Sequence, residues 1–329
     1  KKGSLMALGP SPYYGVSFFQ FFSVFFSRLF SGSLFTGSLY IDDIQIIVFL
    51  AISCSGAFAG TFLVLRKMAM YANAVSHTVL FGLVCVCLFT HQLTTLSLGT
   101  LTLAAMATAM LTGFLIYFIR NTFKVSEESS TALVFSLLFS LSLVLLVFMT
   151  KNAHIGTELV LGNADSLTKE DIFPVTIVIL ANAVITIFAF RSLVCSSFDS
   201  VFASSLGIPI RLVDYLIIFQ LSACLVGAFK AVGVLMALAF LIIPSLIAKV
   251  IAKSIRSLMA WSLVFSIGTA FLAPASSRAI LSAYDLGLST SGISVVFLTM
   301  MYIVVKFISY FRGYFSKNFE KISEKSSQY

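Results

Sequence analysis

Charge is scarce in this chain. Only 10% of its 329 residues are Asp, Glu, Lys or Arg, where a soluble domain carries about a quarter. Hydrophobic residues make up 59%, and the mean hydropathy is +1.04. Water cannot be the main solvent for such a surface. Other absences narrow the field. There is no glycine-rich phosphate loop and no GxGxxG, so no nucleotide-binding domain is expected within the chain. The five cysteines, Cys54, Cys85, Cys87, Cys195 and Cys224, form no CxxC or zinc spacing and read as small core residues. The three histidines are not paired at haem spacing, and no acid–base set clusters in an apolar run, which counts against a membrane enzyme or quinone-binding subunit. All 13 acidic residues fall at the ends of apolar runs or between them. A transporter driven by an ion gradient needs buried coupling carboxylates, so that alternative loses ground. No cleavable signal peptide is evident, and Met6 reads as the native start behind a five-residue addition.

What is present is a series of charge-free runs: 44–65, 77–92, 97–119, 131–150, 172–190, 215–229, 231–248, 257–277 and 290–305. A bilayer span takes about 20 apolar residues. The stretch from Met68 to Ile119 carries no formal charge. It is too long for one helix, and the polar break at 91–97 predicts a turn. The expected fold is all-α, a polytopic transmembrane bundle of roughly eight to ten spans, over residues 41–310. An N-terminal segment, 1–40, precedes it and a basic tail, 311–329, follows. In the N-terminal segment Phe18, Phe19, Phe22, Phe25, Phe26, Leu29 and Phe30 recur at helical spacing with polar residues between them. That pattern suits an interfacial helix lying on the membrane; a tenth span is the alternative.

The net charge of +8 would suggest nucleic acid in a soluble protein; here it reflects basic loops. Fourteen of the 21 cationic residues follow alternate spans: Arg66, Lys67, Arg120, Lys124, Arg191, Arg211, Lys249, Lys253, Arg256, Lys306, Arg312, Lys317, Lys321 and Lys325. The positive-inside rule places these in the cytoplasm. Arg211 and Lys249 are then on the same side, so 215–248 must be a hairpin with its tip near Lys230, between Gly227 and Gly233. Short or glycine-interrupted arms are common where a transporter lines its pathway.

Three stretches carry the candidate chemistry. In GTFLVLRKMAMYANAVSHTVLFG (60–82), Asn73 and His77 lie four apart on one helix face, with Ser76 beside them. An ionisable group inside a membrane is a candidate site, and neutral imidazole binds Zn, Fe and Mn. A histidine bonded to a neighbouring helix is the plainer reading. Between 150 and 171, predicted outside, His154 and Glu158 are four apart and could chelate a cation if helical; a solvated polar loop is the alternative. In the predicted inner loop 198–216, Gly207 and Pro209 stop a short small-residue segment, Ala203-Ser204-Ser205, that could approach a partner closely.

These stretches resemble the metal-specific ABC importer permeases, a family taking up manganese, zinc or iron. Gly60, Phe62, Leu63, Val64, Leu65, Arg66, Met68, Ala69, Ala74, Ser76, His77, Leu80 and Gly82 match its pattern. So do Lys230, Val232, Gly233, Leu235, Ala239, Leu241, Ile242 and Pro244 in KAVGVLMALAFLIIPSLIA, and Ser197, Phe198, Asp199, Ala203, Gly207 and Ile208 in SSFDSVFASSLGIPI. Leu161, Gly162 and Asn163 fit a further segment. The resemblance implies a multi-pass permease of the cytoplasmic membrane that catalyses no reaction itself and holds no permanent cofactor. A divalent metal ion would be its cargo, with ATP bound on a cytoplasmic partner subunit. An extracytoplasmic metal-binding protein would deliver the ion, and a second permease would complete the pathway. His77 and Asn73 would be transient ligands, while Ser76, Lys230, Gly233 and Pro244 would belong to the pathway or its gate; Lys230 could equally snorkel at the hairpin tip. Phe198, Asp199, Ala203, Gly207 and Ile208 would form the coupling loop that docks the ATPase. The family usually has Asp where this chain has Asn73, and an amide holds a cation more weakly. That departure favours a heterodimer whose other permease brings the charge, over a homodimer.

Overall fold

The protein is described by a computed structural model over residues 12–13, 16–31, 39–90, 98–150, 167, 169, 172–284 and 286–326. Among the described residues there are eleven helices and no strand. They are α1 (Phe18–Phe30), α2 (Ile41–Leu65), α3 (Ala69–Thr90), α4 (Leu98–Phe123), α5 (Glu127–Thr150), α6 (Ile172–Phe198), α7 (Ser200–Ser205), α8 (Ile210–Val232), α9 (Val234–Ile251), α10 (Ile255–Tyr284) and α11 (Thr290–Ser326). Eight are long and apolar enough to cross a membrane, and a shorter apolar helix falls within α9. Over the described residues each of the nine apolar runs is helical, except that 231–248 begins in the last turn of α8 and is broken at Gly233. The turn expected at 91–97 lies outside the described residues. The expected tail is helical as far as Ser326, as a continuation of α11.

Helix α2 is the axis of the bundle. Within its most apolar window 72% of the residues are buried, against 11% for α11. It packs against α6, α8, α9 and α10, while α3 packs with α4 and α5 and meets the central group through α8 and α9. The α2–α9 seam is a backbone contact. A Cβ built on Gly60 would lie 1.7 Å from the Leu241 carbonyl oxygen, and one on Gly56 would lie 2.9 Å from that of Phe240. Small residues four apart let two helices approach this closely. Pro244 has no N–H to offer the Phe240 carbonyl one turn back, so the carbonyl facing Gly56 is the one that Pro244 leaves unpaired within α9.

The hairpin expected over 215–248 is α8 and α9, broken at Gly233. Gly233 takes φ +86°, a left-handed conformation that suits glycine. Lys230 sits in the last turn of α8, next to that break.

Helix α1 spans about 20 Å at 1.5 Å per residue, short of the roughly 30 Å hydrocarbon core. It packs on α10, where Phe25 meets the Phe271 ring at 5.6 Å, while Phe19 and Phe30 stay more than 80% exposed. A clasp of buried charge holds it to α2. Arg28 pairs with Asp43 at 3.1 Å, and the Tyr13 hydroxyl donates to Asp43 Oδ1 at 2.6 Å. Arg278 of α10 pairs with the adjacent Asp42. The two carboxylates open the first turn of α2, where the helix dipole favours them.

Candidate functional site

Two regions carry the residues singled out from the sequence. The first is the start of α3. Ser76 is buried and donates to the Asn73 carbonyl at 2.7 Å, the i−3 bond common for helical serines. Asn73 is exposed. One turn on, His77 is half-buried against α5, its ring 5.6 Å from that of Phe135 and 5.4 Å from that of Phe139. Its Nδ1 is buried with no hydrogen-bond partner among the described residues. A histidine serving only to tie helices together would spend its ring nitrogens on neighbours; this one has an aromatic wall instead. Around it the packing is fixed: Thr78 and Thr112 hydroxyls meet at 2.8 Å between α3 and α4. Among the described residues no three His, Cys, Asp or Glu side chains gather into a metal-holding group. Gly233 and Pro244 lie in the α8–α9 hairpin, apart in sequence from this face, and both are buried.

The second region is the segment between α6 and α8. Asp199 caps α7, its carboxylate accepting from the Val201 and Phe202 N–H groups at 2.9 and 3.0 Å. At the other end Gly207, with φ +78°, closes the turn; its N–H reaches the Ser204 carbonyl while Ile208 N–H reaches that of Ala203. Ala203 is fully buried. The small residue thus lets α7 lie tightly on its own bundle rather than on a partner. Ile208 packs beside the cluster of Phe62, Leu193, Val213 and Ile217. What points outward is apolar: Phe198 is 71% exposed and Val201 77%, with Phe202 and Leu206 also exposed.

Arg66, at the end of α2, ties both arms of this segment. Its guanidinium donates to Ser196 Oγ at 2.6 Å and Ser197 Oγ at 3.3 Å on α6, and pairs with Asp214 on α8. A second tie joins the same three helices deeper in the bundle. Asn182 of α6 donates to Ser55 of α2 at 2.5 Å, and Gln220 of α8 donates to the Asn182 carbonyl at 3.1 Å and Thr186 Oγ1 at 2.9 Å.

Sequence reasoning passed over Val201, Phe202 and Leu206, apolar residues within the 198–216 loop, and the Asn182–Gln220 pair, whose signal was present as amides inside otherwise apolar spans. His154 and Glu158 lie outside the described residues.

Comparison with known proteins places this geometry. Residues 43–309 match the ABC 3 transport family. A Chlamydia muridarum protein named "Probable metal transport system membrane protein" is 66% identical over 293 residues, covering 89% of this chain and 93% of its own. The Bacillus subtilis manganese transport system membrane protein MntD is 33% identical over 210 residues, covering 60% of this chain and 69% of its own. Among solved structures, PsaBC from Streptococcus pneumoniae in complex with Fab superposes with a TM-score of 0.69 at 20% identity, covering 86% of this chain and 95% of that one. With a match across most of its length and eight helices fit to cross a bilayer, the chain belongs to the ABC 3 transport family, as a multi-pass membrane permease and not an enzyme.

Proposed function

We propose that this chain is a permease subunit of an ATP-driven importer that carries Mn²⁺, Zn²⁺ or Fe²⁺ across the cytoplasmic membrane. The observation that carries this reading is the pairing of a family match over residues 43–309 with a short helix, α7, that is anchored from within and apolar on its outer face. A helix tied at both ends and presenting Phe198, Val201, Phe202 and Leu206 is suited to sit in a groove of a cytoplasmic ATP-binding subunit. ATP binding there would push on α7 and, through α6 and α8, switch access to the pathway. The charge pattern supports a cytoplasmic position for it.

The metal ion is cargo, so its ligands must be few and its binding weak enough for release. His77 and Asn73 on α3 serve in this reading as transient ligands, with neutral imidazole the stronger donor. Asn73 brings no charge, so a second, non-identical permease is assigned the missing carboxylate, and an extracytoplasmic binding protein delivers the ion. A gradient-driven transporter is disfavoured because the buried acids Asp42 and Asp43 are both engaged by arginines at one end of α2.

The test is reconstitution into proteoliposomes with the candidate second permease, ATP-binding subunit and binding protein. Metal-stimulated ATP hydrolysis and uptake of Mn²⁺, Zn²⁺ or Fe²⁺ are expected, and His77→Ala should lower uptake by on the order of tenfold or more, as loss of a direct ligand interaction of a few kcal/mol would. Full uptake by His77→Ala would remove the ligand role. Transport by this chain as a homodimer would remove the heterodimer.

A further inference from the structure

The strongest unassigned feature is Arg66. It caps the C-terminal end of the central helix, its side chain is only 12% exposed, and its partners lie on the two arms that hold α7. Ser196 and Ser197 are the residues just before α7 on α6, and Asp214 is in the second turn of α8. A planar guanidinium reaches all three at once because its donors fan out in a fixed fork; an ammonium group offers its three donors from a single point. About 16 Å further up α2 at 1.5 Å per residue, Ser55, Asn182, Gln220 and Thr186 tie the same helices a second time. Two ties at different depths make α2, α6 and α8 one body. Arg66 closes that body at the end where α7 emerges. Its neighbour Lys67, at φ +60°, makes the turn into α3, the helix of His77. Arg66 thus joins the end of α2, and the turn into α3, to both arms that hold α7.

We propose that Arg66 is a positioning residue for energy coupling, the strut through which movement of α7 is transmitted to α2 and α3, with Asp214 as its charged partner. This rests on the reading that α7 docks an ATP-binding subunit. A residue of this kind has a distinct failure mode: without it, the ATPase still binds and turns over, but its work no longer moves the pathway.

The experiment uses the complete assembly in proteoliposomes, with Mn²⁺ as the probe and both Mn²⁺ uptake and ATP hydrolysis measured. Arg66→Lys keeps the charge and removes the fork; Asp214→Asn is nearly isosteric and keeps the fold. Both are expected to co-purify with the ATP-binding subunit and hydrolyse ATP within about twofold of the parent, while Mn²⁺ carried per ATP falls on the order of tenfold, a typical coupling free energy. The exchange Arg66→Asp with Asp214→Arg should recover part of that ratio. Parallel loss of hydrolysis and uptake in both variants, or an unchanged uptake-to-hydrolysis ratio, would overturn the strut. So would an exchange variant that is monodisperse and no better than the single changes. Docking is read separately in the parent with Ser204→Cys: if this cysteine forms no cross-link to the ATP-binding subunit, the docking reading fails, whatever Arg66 does.

Discussion

The α2–α9 seam allows a test by opposing signs. In Gly60→Ala the new methyl group would lie 1.7 Å from the Leu241 carbonyl oxygen and 2.8 Å from its carbon. Ordinary contact begins at 3.4 Å, so the local separation must grow by about 1.7 Å (3.4 less 1.7). The obstructing atoms are backbone and cannot rotate away. Such a shift also disturbs the Phe49–Phe240 ring contact at 6.5 Å and the Ser245–Ser262 hydroxyl pair at 3.0 Å. Overpacking a core costs about 1–3 kcal/mol, and a rigid obstruction belongs at the upper end. Gly268→Ala is the control. Gly268 lies inside α10, and a Cβ there would meet nothing within 4 Å. Replacing a helix-interior glycine by alanine stabilises by up to about 1 kcal/mol, less where the denatured state keeps its helices. Thermal denaturation of the two variants in detergent, followed by size-exclusion chromatography, should move the transition down for Gly60→Ala and slightly up for Gly268→Ala. A neutral or stabilised Gly60→Ala would refute the backbone contact.

Asp199→Ala removes the cap of α7 and should cost about 1 kcal/mol locally. Because α7 is only six residues long, the expected readout is loss of co-purification with the ATP-binding subunit while the transition temperature of the bundle barely changes. Asp43→Asn breaks the clasp at its buried centre; breaking a buried ion pair costs about 3–5 kcal/mol. Faster proteolysis within the first 40 residues should report it, with α3–α5 unaffected. Burial, and then the bond to Asp43, hold the Tyr13 phenol above its usual value of 10.0. Folding thus favours the protonated phenol, so its contribution is complete below about pH 10 and is lost as pH rises beyond that. Absorbance of phenolate at alkaline pH, compared between the parent and Tyr13→Phe, should show one tyrosine ionising late.

Much of this was legible in the sequence because lipid imposes a simple rule: long uncharged runs become helices, and basic residues mark one side. The runs at 44–65, 131–150 and 257–277 each lie within a helix of the bundle. Gly207 and Pro209 announced the end of α7. Local chemistry could not reveal which distant residues meet. Asp42 and Asp43 look like ordinary first-turn acids until Arg278 and Arg28 arrive from other helices. Ala203 reads as a docking residue, but its side chain is buried, and the apolar neighbours Val201, Phe202 and Leu206, which the sequence did not single out, face outward. The segments flanking this six-residue helix are held by Arg66 and by the Phe62 cluster, both contributed from far away in the chain. His77 stands out in the sequence by its type and setting, yet its wall of Phe135 and Phe139 belongs to another helix.

Where Gly56 and Gly60 face the Phe240 and Leu241 carbonyls, no side chain stands between the two main chains. A joint of this kind has no cushion to compress and no rotamer to flip. Spacing across it is fixed by atomic radii, so relative movement of α2 and α9 must take the form of shear along their axes. Any larger opening of the permease has to hinge at another boundary.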